Sequence, residues 1–175
     1  MLYHRIHIIG YSGTGKTYLA KQLSKILNIK HYDLDDILYK RKYVEKYTDP
    51  ILKRKLREIT KKKTWVIEGT GSRWVHDSFK KADIILVLDA PLHMISWRVI
   101  KRHLHRNYIK KLNVKESFLD ALKLIKYTHY KKTLPKSHEK SYKSILKPYE
   151  RKVKHLHTKK QISSFIEGVK RQQSL

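Results

Sequence analysis

The sequence predicts an α/β fold, a five-stranded parallel sheet with helices on both faces, on three observations. Short apolar runs of strand length alternate with longer segments whose apolar residues recur at helical spacing. Such alternation builds a parallel sheet through right-handed crossovers. One run, Ile84–Leu88, contains no polar residue, the mark of a strand covered on both faces. Finally, a glycine-bearing turn over residues 10–15 joins the first apolar run to the first helical segment.

The elements follow in order. Leu2–Ile9 alternates and then ends apolar at Ile6, Ile8 and Ile9, which predicts a short, mostly buried strand. Gly15–Leu27 predicts a helix with Leu19, Ala20, Leu23, Ile26 and Leu27 on its inner stripe. His31–Asp33 fits a second short strand. Asp49-Pro50 opens a helix with proline in the first turn, where its missing N–H costs nothing, and Ile51, Leu52, Leu56 and Ile59 continue it. Thr64–Ile67 is the third strand, closed by Glu68-Gly69, and Ile84–Leu88 the fourth. Pro91 starts a long helix to about Tyr108, with Leu92, Ile95, Val99 and Leu104 inward. Phe118–Tyr130 predicts a helix carrying Leu119, Leu122 and Ile125. Tyr142–Leu146 predicts a short helix that Pro148 stops. Lys152–His157 alternates as a fifth strand, and Gln161–Val169 closes the chain with a stripe of Ile162, Phe165, Ile166 and Val169.

Composition narrows the function classes. The 175 residues suit one domain, and a 40% hydrophobic content is enough for a packed core. The chain has no cysteine, which excludes a disulfide framework, a zinc–thiolate site and a thiol nucleophile. No apolar run approaches the roughly 18–20 residues of a membrane span, and the N-terminus lacks a signal-peptide pattern. The expectation is a cytoplasmic protein with no membrane partner. Lys and Arg number 41 against 15 Asp and Glu, a net charge of +26. Residues 98–160 hold 20 of those cations and 4 of the acids. Such a surface attracts polyanions, nucleic acid among them, and a lysine-rich solvated surface gives the same count.

Gly10-Tyr11-Ser12-Gly13-Thr14-Gly15-Lys16-Thr17 matches the phosphate loop G-x-x-x-x-G-K-[ST] at every fixed position. A triphosphate is well solvated, so a protein must offer many fixed donors at once. Backbone N–H groups of a tight loop do this, aided by the positive end of the next helix. Gly10, Ser12, Gly13, Thr14 and Gly15 form the cradle. Lys16 reaches the β- and γ-phosphates, and the Thr17 hydroxyl faces Mg²⁺. The context is right, with an apolar strand before the loop and a helix after it.

With these residues in view, the chain resembles an adenylate-kinase-like P-loop kinase over Ile6 to about Arg106, and most of all the DNA topology modulation protein subgroup. His31-Tyr32-Asp33-Leu34-Asp35-Asp36-Ile37 is similar to that subgroup's His-Leu-Asp-Asp-Ile stretch, and Asp33–Asp35 to the Asp-x-Asp of shikimate- and gluconate-kinase-like relatives. Trp65-Val66-Ile67-Glu68-Gly69-Thr70-Gly71-Ser72-Arg73 resembles its Trp-Val-Ile-Asp-Gly-x-x-x-Arg segment, with Glu68 where Asp is common. Val87-Leu88-Asp89-Ala90-Pro91 followed by Arg98 and Arg102 is similar to the family's fourth strand, proline-led helix and paired LID arginines. The resemblance implies a P-loop NTPase fold of adenylate/shikimate-kinase type. It also implies one domain over residues 1–175, a mobile acceptor-side segment at about 36–63, and a short LID at about 106–114.

The candidate site follows. Asp35 is placed to orient an acceptor hydroxyl and take its proton. Asp33 and Glu68, at strand ends, join Thr17 as candidates for holding Mg²⁺. Arg98 and Arg102 recur at i, i+4 on one helix face and can bind phosphate oxygens in pairs as charge develops. Arg73 is a candidate for the acceptor side. Asp33, Asp35 and Asp36 are equally good caps for a helix starting near Ile37. The function expected is transfer of the γ-phosphoryl group of Mg-ATP to a small hydroxyl or phosphate acceptor. The alternative is a nucleic-acid-binding or end-modifying P-loop protein that uses the basic C-terminal half.

Overall fold

The computed structural model describes residues 3–41, 45–69, 73–105, 118–135, 138 and 141–173. The chain divides into two compact units. The first comprises Met1–Gly10, Gly15–Asp89 and Tyr149–Leu175, and the second Tyr11–Thr14 and Ala90–Pro148.

The first unit is built on a five-stranded, all-parallel sheet. Its strands are β1 (Arg5–Gly10), β2 (His31–Asp33), β5 (Trp65–Glu68), β6 (Ile84–Leu88) and β7 (Val153–Leu156), in spatial order β2-β5-β1-β6-β7. The expected sheet is therefore present, and its fifth strand is the one read at Lys152–His157. A second, antiparallel pair joins β3 (Tyr39–Arg41) to β4 (Glu45–Lys46), and nothing in the sequence had marked it.

Pleating sorts the strand residues between two faces. Ile6, Ile8, Val66, Ile84, Leu86, Leu88 and Leu156 form one buried face. It packs on Leu19, Ala20, Leu23 and Leu27 of α1 (Lys16–Leu27) and on Phe165, Ile166 and Val169 of α8 (Lys159–Gln173). The other face carries His7, Ile9, Trp65, Ile67, Ile85 and Val87, all buried. Here His7 lies against Phe79 of α4 (His76–Lys81), with ring centroids 4.6 Å apart. Burial pushes the His7 imidazole down to about 4, although its contact with the Gly69 carbonyl opposes this, so the ring is neutral at pH 7. Also in this unit are α2 (Leu34–Leu38) and α3 (Asp49–Thr60), the latter opening with proline as expected. Helix α2 starts at Leu34, with Asp33 as its N-cap, and not near Ile37.

The second unit contains α5 (Leu92–Leu104), α6 (Phe118–Thr133) and α7 (Tyr142–Leu146). Ala90, Ile95, Val99 and Ala121 form its core, with Tyr11, Leu124 and Ile125 packed around them. Three expected core positions are corrected. Leu104 is 45% exposed, because the inward stripe of α5 runs Ile95, Val99, His103 and Leu104 stands one residue off it. On α6 the inward residues are Ala121 and Thr128, with Leu124 and Ile125 between them, which turns Leu119 and Leu122 outward. The segment read as a short LID, about 106–114, lies outside the described residues.

The start of β1 is fastened to the turn before β6. Asp83 accepts hydrogen bonds from the backbone N–H groups of His4 and Arg5, and from Nε and Nη2 of Arg5 at 3.0 and 2.7 Å. Burial raises the Asp83 carboxyl's pKa, but the Arg5 side chain and the two amides outweigh this and hold it below the ordinary carboxylate range. A depressed native pKa contributes stability at pH above the unfolded value, and that stability is lost as pH falls through the native value. Arg5 is 43% exposed, so the contribution is that of a surface pair, about 0.5–1 kcal/mol. Asp83→Asn is expected to lower stability by that amount at pH 7 and to converge on the parent as the pH falls through the depressed native value of Asp83, by urea denaturation at neutral and at acid pH. A constant difference between the two would show that the charge is not responsible.

Candidate functional site

The sheet order places β1 between β5 and β6, while the chain leaves β1 for β2 on one side and later crosses to β6 on the other. In parallel sheets such a reversal opens a crevice at the carboxyl ends of the strands. The carboxyl ends here are Gly10 of β1, Asp33 of β2 and Glu68 of β5.

In the first unit, helix α1 begins at Lys16, directly after Gly15. No side chain caps this end, so its first N–H groups are not claimed by a cap and are oriented for an anion. Thr17, one residue further, donates its hydroxyl to Oε2 of Glu68 at 3.1 Å. Glu68 is the last residue of β5 and 1% exposed, a buried carboxylate on the α1 face of the sheet. Its other oxygen, Oε1, takes Nε2 of His31 at 3.0 Å. Asp33 pairs in register with Glu68 across β2 and β5. The Asp33 carboxyl is pushed up by burial, an effect opposed by the Asp35 amide and reinforced by the charges of Glu68, Asp35 and Asp36.

These residues are a local consequence of sequence. His31 and Asp33 stand two apart on a strand and share a face. Asp33 Oδ1 accepts from the Asp35 N–H at 2.9 Å, which ends β2 and starts α2 in one step. The Asp35 side chain is exposed in the first turn of α2, near enough for its charge to act on Asp33. Arg73 begins a 3-10 turn, Arg73–Val75, and its side chain lies outside the described residues.

In the second unit, Tyr11–Thr14 forms a tight turn in which the Thr14 N–H and Oγ1 both donate to the Tyr11 carbonyl, at 3.3 and 2.8 Å. Gly13 has φ +78°, and a Cβ on it would stand 3.2 Å from the Ile95 carbonyl, so the turn lies directly on α5. Arg98 Nη1 donates to the Gly13 carbonyl at 3.0 Å, and Arg102 Nη2 to Ser12 Oγ at 3.2 Å. Both expected arginines therefore meet the glycine turn. Tyr11 stacks on Tyr142 of α7, with centroids 4.7 Å apart, and anchors the other side of the turn.

His31 is not among the site residues that the sequence singles out. The available signal was its i, i+2 relation to Asp33 on a strand beside the strand ending in Glu68. The oxygen donors Thr17, Asp33 and Glu68 suit a hard cation such as Mg²⁺, which takes one or two carboxylates and leaves its other positions to phosphate and water. Among the described residues no group of three His, Asp or Glu forms a ready-made metal cage. No helix among the described residues is long and apolar enough to cross a membrane.

A parallel sheet with a phosphate loop between β1 and α1 defines the class: this is a P-loop NTPase fold of shikimate-kinase type. The chain belongs to the AAA domain family, whose model matches residues 6–118. Similar solved structures include shikimate kinase from Bacteroides thetaiotaomicron, at 15% identity over 99% of each chain with a TM-score of 0.56. Shikimate kinase from Aquifex aeolicus is 17% identical over 97% of this chain and 96% of that one, with a TM-score of 0.52. A gluconokinase from Sinorhizobium meliloti is 11% identical over 98% and 91%, with a TM-score of 0.56. In sequence, the uncharacterized protein YqaC of Bacillus subtilis is 28% identical over 102 residues, which is 58% of this chain and 57% of that protein.

Proposed function

We propose that this protein is a phosphotransferase that binds Mg-ATP through Gly10–Thr17 and moves the γ-phosphoryl group to a small hydroxyl acceptor. The observation that carries this reading is the Thr17–Glu68 bond. A loop serving only as a turn needs no buried carboxylate on its last hydroxyl.

In this reading the N–H groups of the loop and of the start of α1 cradle the phosphates, and Lys16 neutralises them from one side. Thr17, with Glu68 and Asp33, would hold Mg²⁺, which when bound would offset phosphate charge. Arg98 and Arg102 hold the turn at Gly13 and Ser12 and bring positive charge to it. Asp35, exposed in the first turn of α2, orients the acceptor hydroxyl and receives its proton, and Arg73 is assigned to the same acceptor. A cytoplasmic setting, where ATP is supplied, goes with this activity. We place the chain beside the DNA topology modulation proteins on the His31–Ile37 and Trp65–Arg73 motifs. The nucleic-acid alternative draws no support from the comparisons, whose kinases act on small molecules by name.

The test is an ADP-release screen of the purified protein against nucleosides, nucleotides, hydroxy acids and sugar acids, with oligonucleotide ends as a separate arm. The expected result is turnover above the ATP-only background with one small-molecule class. Turnover confined to oligonucleotide ends would transfer the reading to nucleic acid, and a protein that does not bind ATP at all would end it.

A further inference from the structure

We propose that His31 is a positioning residue that fixes the Glu68 carboxylate and, through it, the Thr17 hydroxyl for a cation-bound nucleotide. The proposal rests on the phosphate-loop reading above.

Glu68 is 1% exposed, and a buried carboxylate is tolerated only when its oxygens are paired. Two donors meet it: the Thr17 hydroxyl on Oε2 and the His31 ring on Oε1. A hydroxyl has one proton and two lone pairs. With its proton committed to Glu68, Thr17 has only lone pairs left to present elsewhere, the state a hydroxyl needs in front of a hard cation. That commitment holds only if Oε2 stays where it is. A carboxylate held by one neutral hydroxyl can turn about its last bond; one gripped at both oxygens cannot. His31 supplies the second grip from β2, and the strand register brings it there: His31 shares a face with Asp33, which is paired with Glu68. The His31 side chain is 18% exposed and that of Glu68 2%, so the bond is shielded and more than a surface pair. His31 touches neither phosphate nor cation in this scheme. It acts on the hydroxyl through Glu68, as outer-shell partners do for metal ligands.

Calorimetric titration with Mg-ATP and with ATP in EDTA separates this from a structural role. His31→Phe is expected to weaken Mg-ATP binding by about tenfold or more while metal-free ATP stays within about twofold. His31→Gln, whose amide can donate the same bond, is expected to recover most of the loss. Equal weakening in both titrations marks a structural role and overturns the proposal. So does an unchanged Mg-ATP affinity in His31→Phe, or a His31→Gln variant as weak as His31→Phe. Should the phenylalanine variant fail to fold, His31→Asn replaces it, since its amide is one methylene too short to reach Glu68. A parent protein that binds neither form of ATP refutes the phosphate-loop reading itself. A parent that binds Mg-ATP beside an indifferent His31→Phe refutes only the role given to His31.

Discussion

Lys16→Ala is expected to abolish measurable nucleotide binding and any phosphoryl transfer in a protein that still folds. Lys16 is the first residue of α1, at the positive end of the helix dipole. A cation there is electrostatically unfavourable by some tenths of a kcal/mol in the empty protein, and alanine is the better helix former. Propensity and dipole alone therefore favour alanine here, and an anion brought to the loop reverses that preference. Preorganised charge on a developing phosphate is worth at least as much as a neutral oxyanion donor, whose loss costs about 10²–10³-fold in rate. Calorimetry with ATP, together with a thermal melt, measures both halves of this expectation. ATP affinity in the alanine variant within a few-fold of the parent would remove Lys16 from the site, and a collapsed melt would make its role structural.

How much of this was legible follows from what each residue had to announce. Ile84–Leu88 could be read from composition, and the structure buries all five residues in β6. The stripe Phe165, Ile166, Val169 of α8 has the spacing of an amphipathic helix and is buried as read. The β3–β4 pair was not legible: its strands are three and two residues long and mostly charged, so no alternation can show. Helix α4, His-Asp-Ser-Phe-Lys-Lys, has a single large apolar residue and therefore no period. Glu68 reads as a polar stop after Ile67, yet it completes β5 and is buried. Its burial depends on partners 51 and 37 residues away, Thr17 and His31, which no local pattern records. The phosphate loop was legible because backbone chemistry dictates its glycines and its lysine. The contacts of Arg98 and Arg102 with the glycine turn depend on how α5 is seated, which spacing alone does not give.

Gly69→Ala is expected to destabilise the protein by about 2–5 kcal/mol, a large share of the 5–15 kcal/mol that holds a domain together. Two costs add. Gly69 has φ +126°, a backbone region that a side chain makes strained by about 1–3 kcal/mol. A Cβ there would also stand 2.8 Å from Cβ of Leu34, a contact that real structures essentially never show. Leu34 is 1% exposed and begins α2, so it yields only by moving the β2–α2 junction. Nor is the backbone of Gly69 free to rotate, since its N–H donates to the Ile8 carbonyl at 3.0 Å and its own carbonyl lies 3.3 Å from Nε2 of His7. For a chain of this size the loss corresponds to a drop in melting temperature of about 5–15 °C. Gly168→Ala is the control: Gly168 lies inside α8 with open space where its Cβ would be. There the same substitution relieves a helix of its glycine and is expected to stabilise by about 0.5–1 kcal/mol. Because the two changes are chemically identical, opposite signs in the two melts isolate local geometry as the cause. A Gly69→Ala melt within about 2 °C of the parent, less than 1 kcal/mol by the same scaling, would show that the turn after Glu68 is not held in this form.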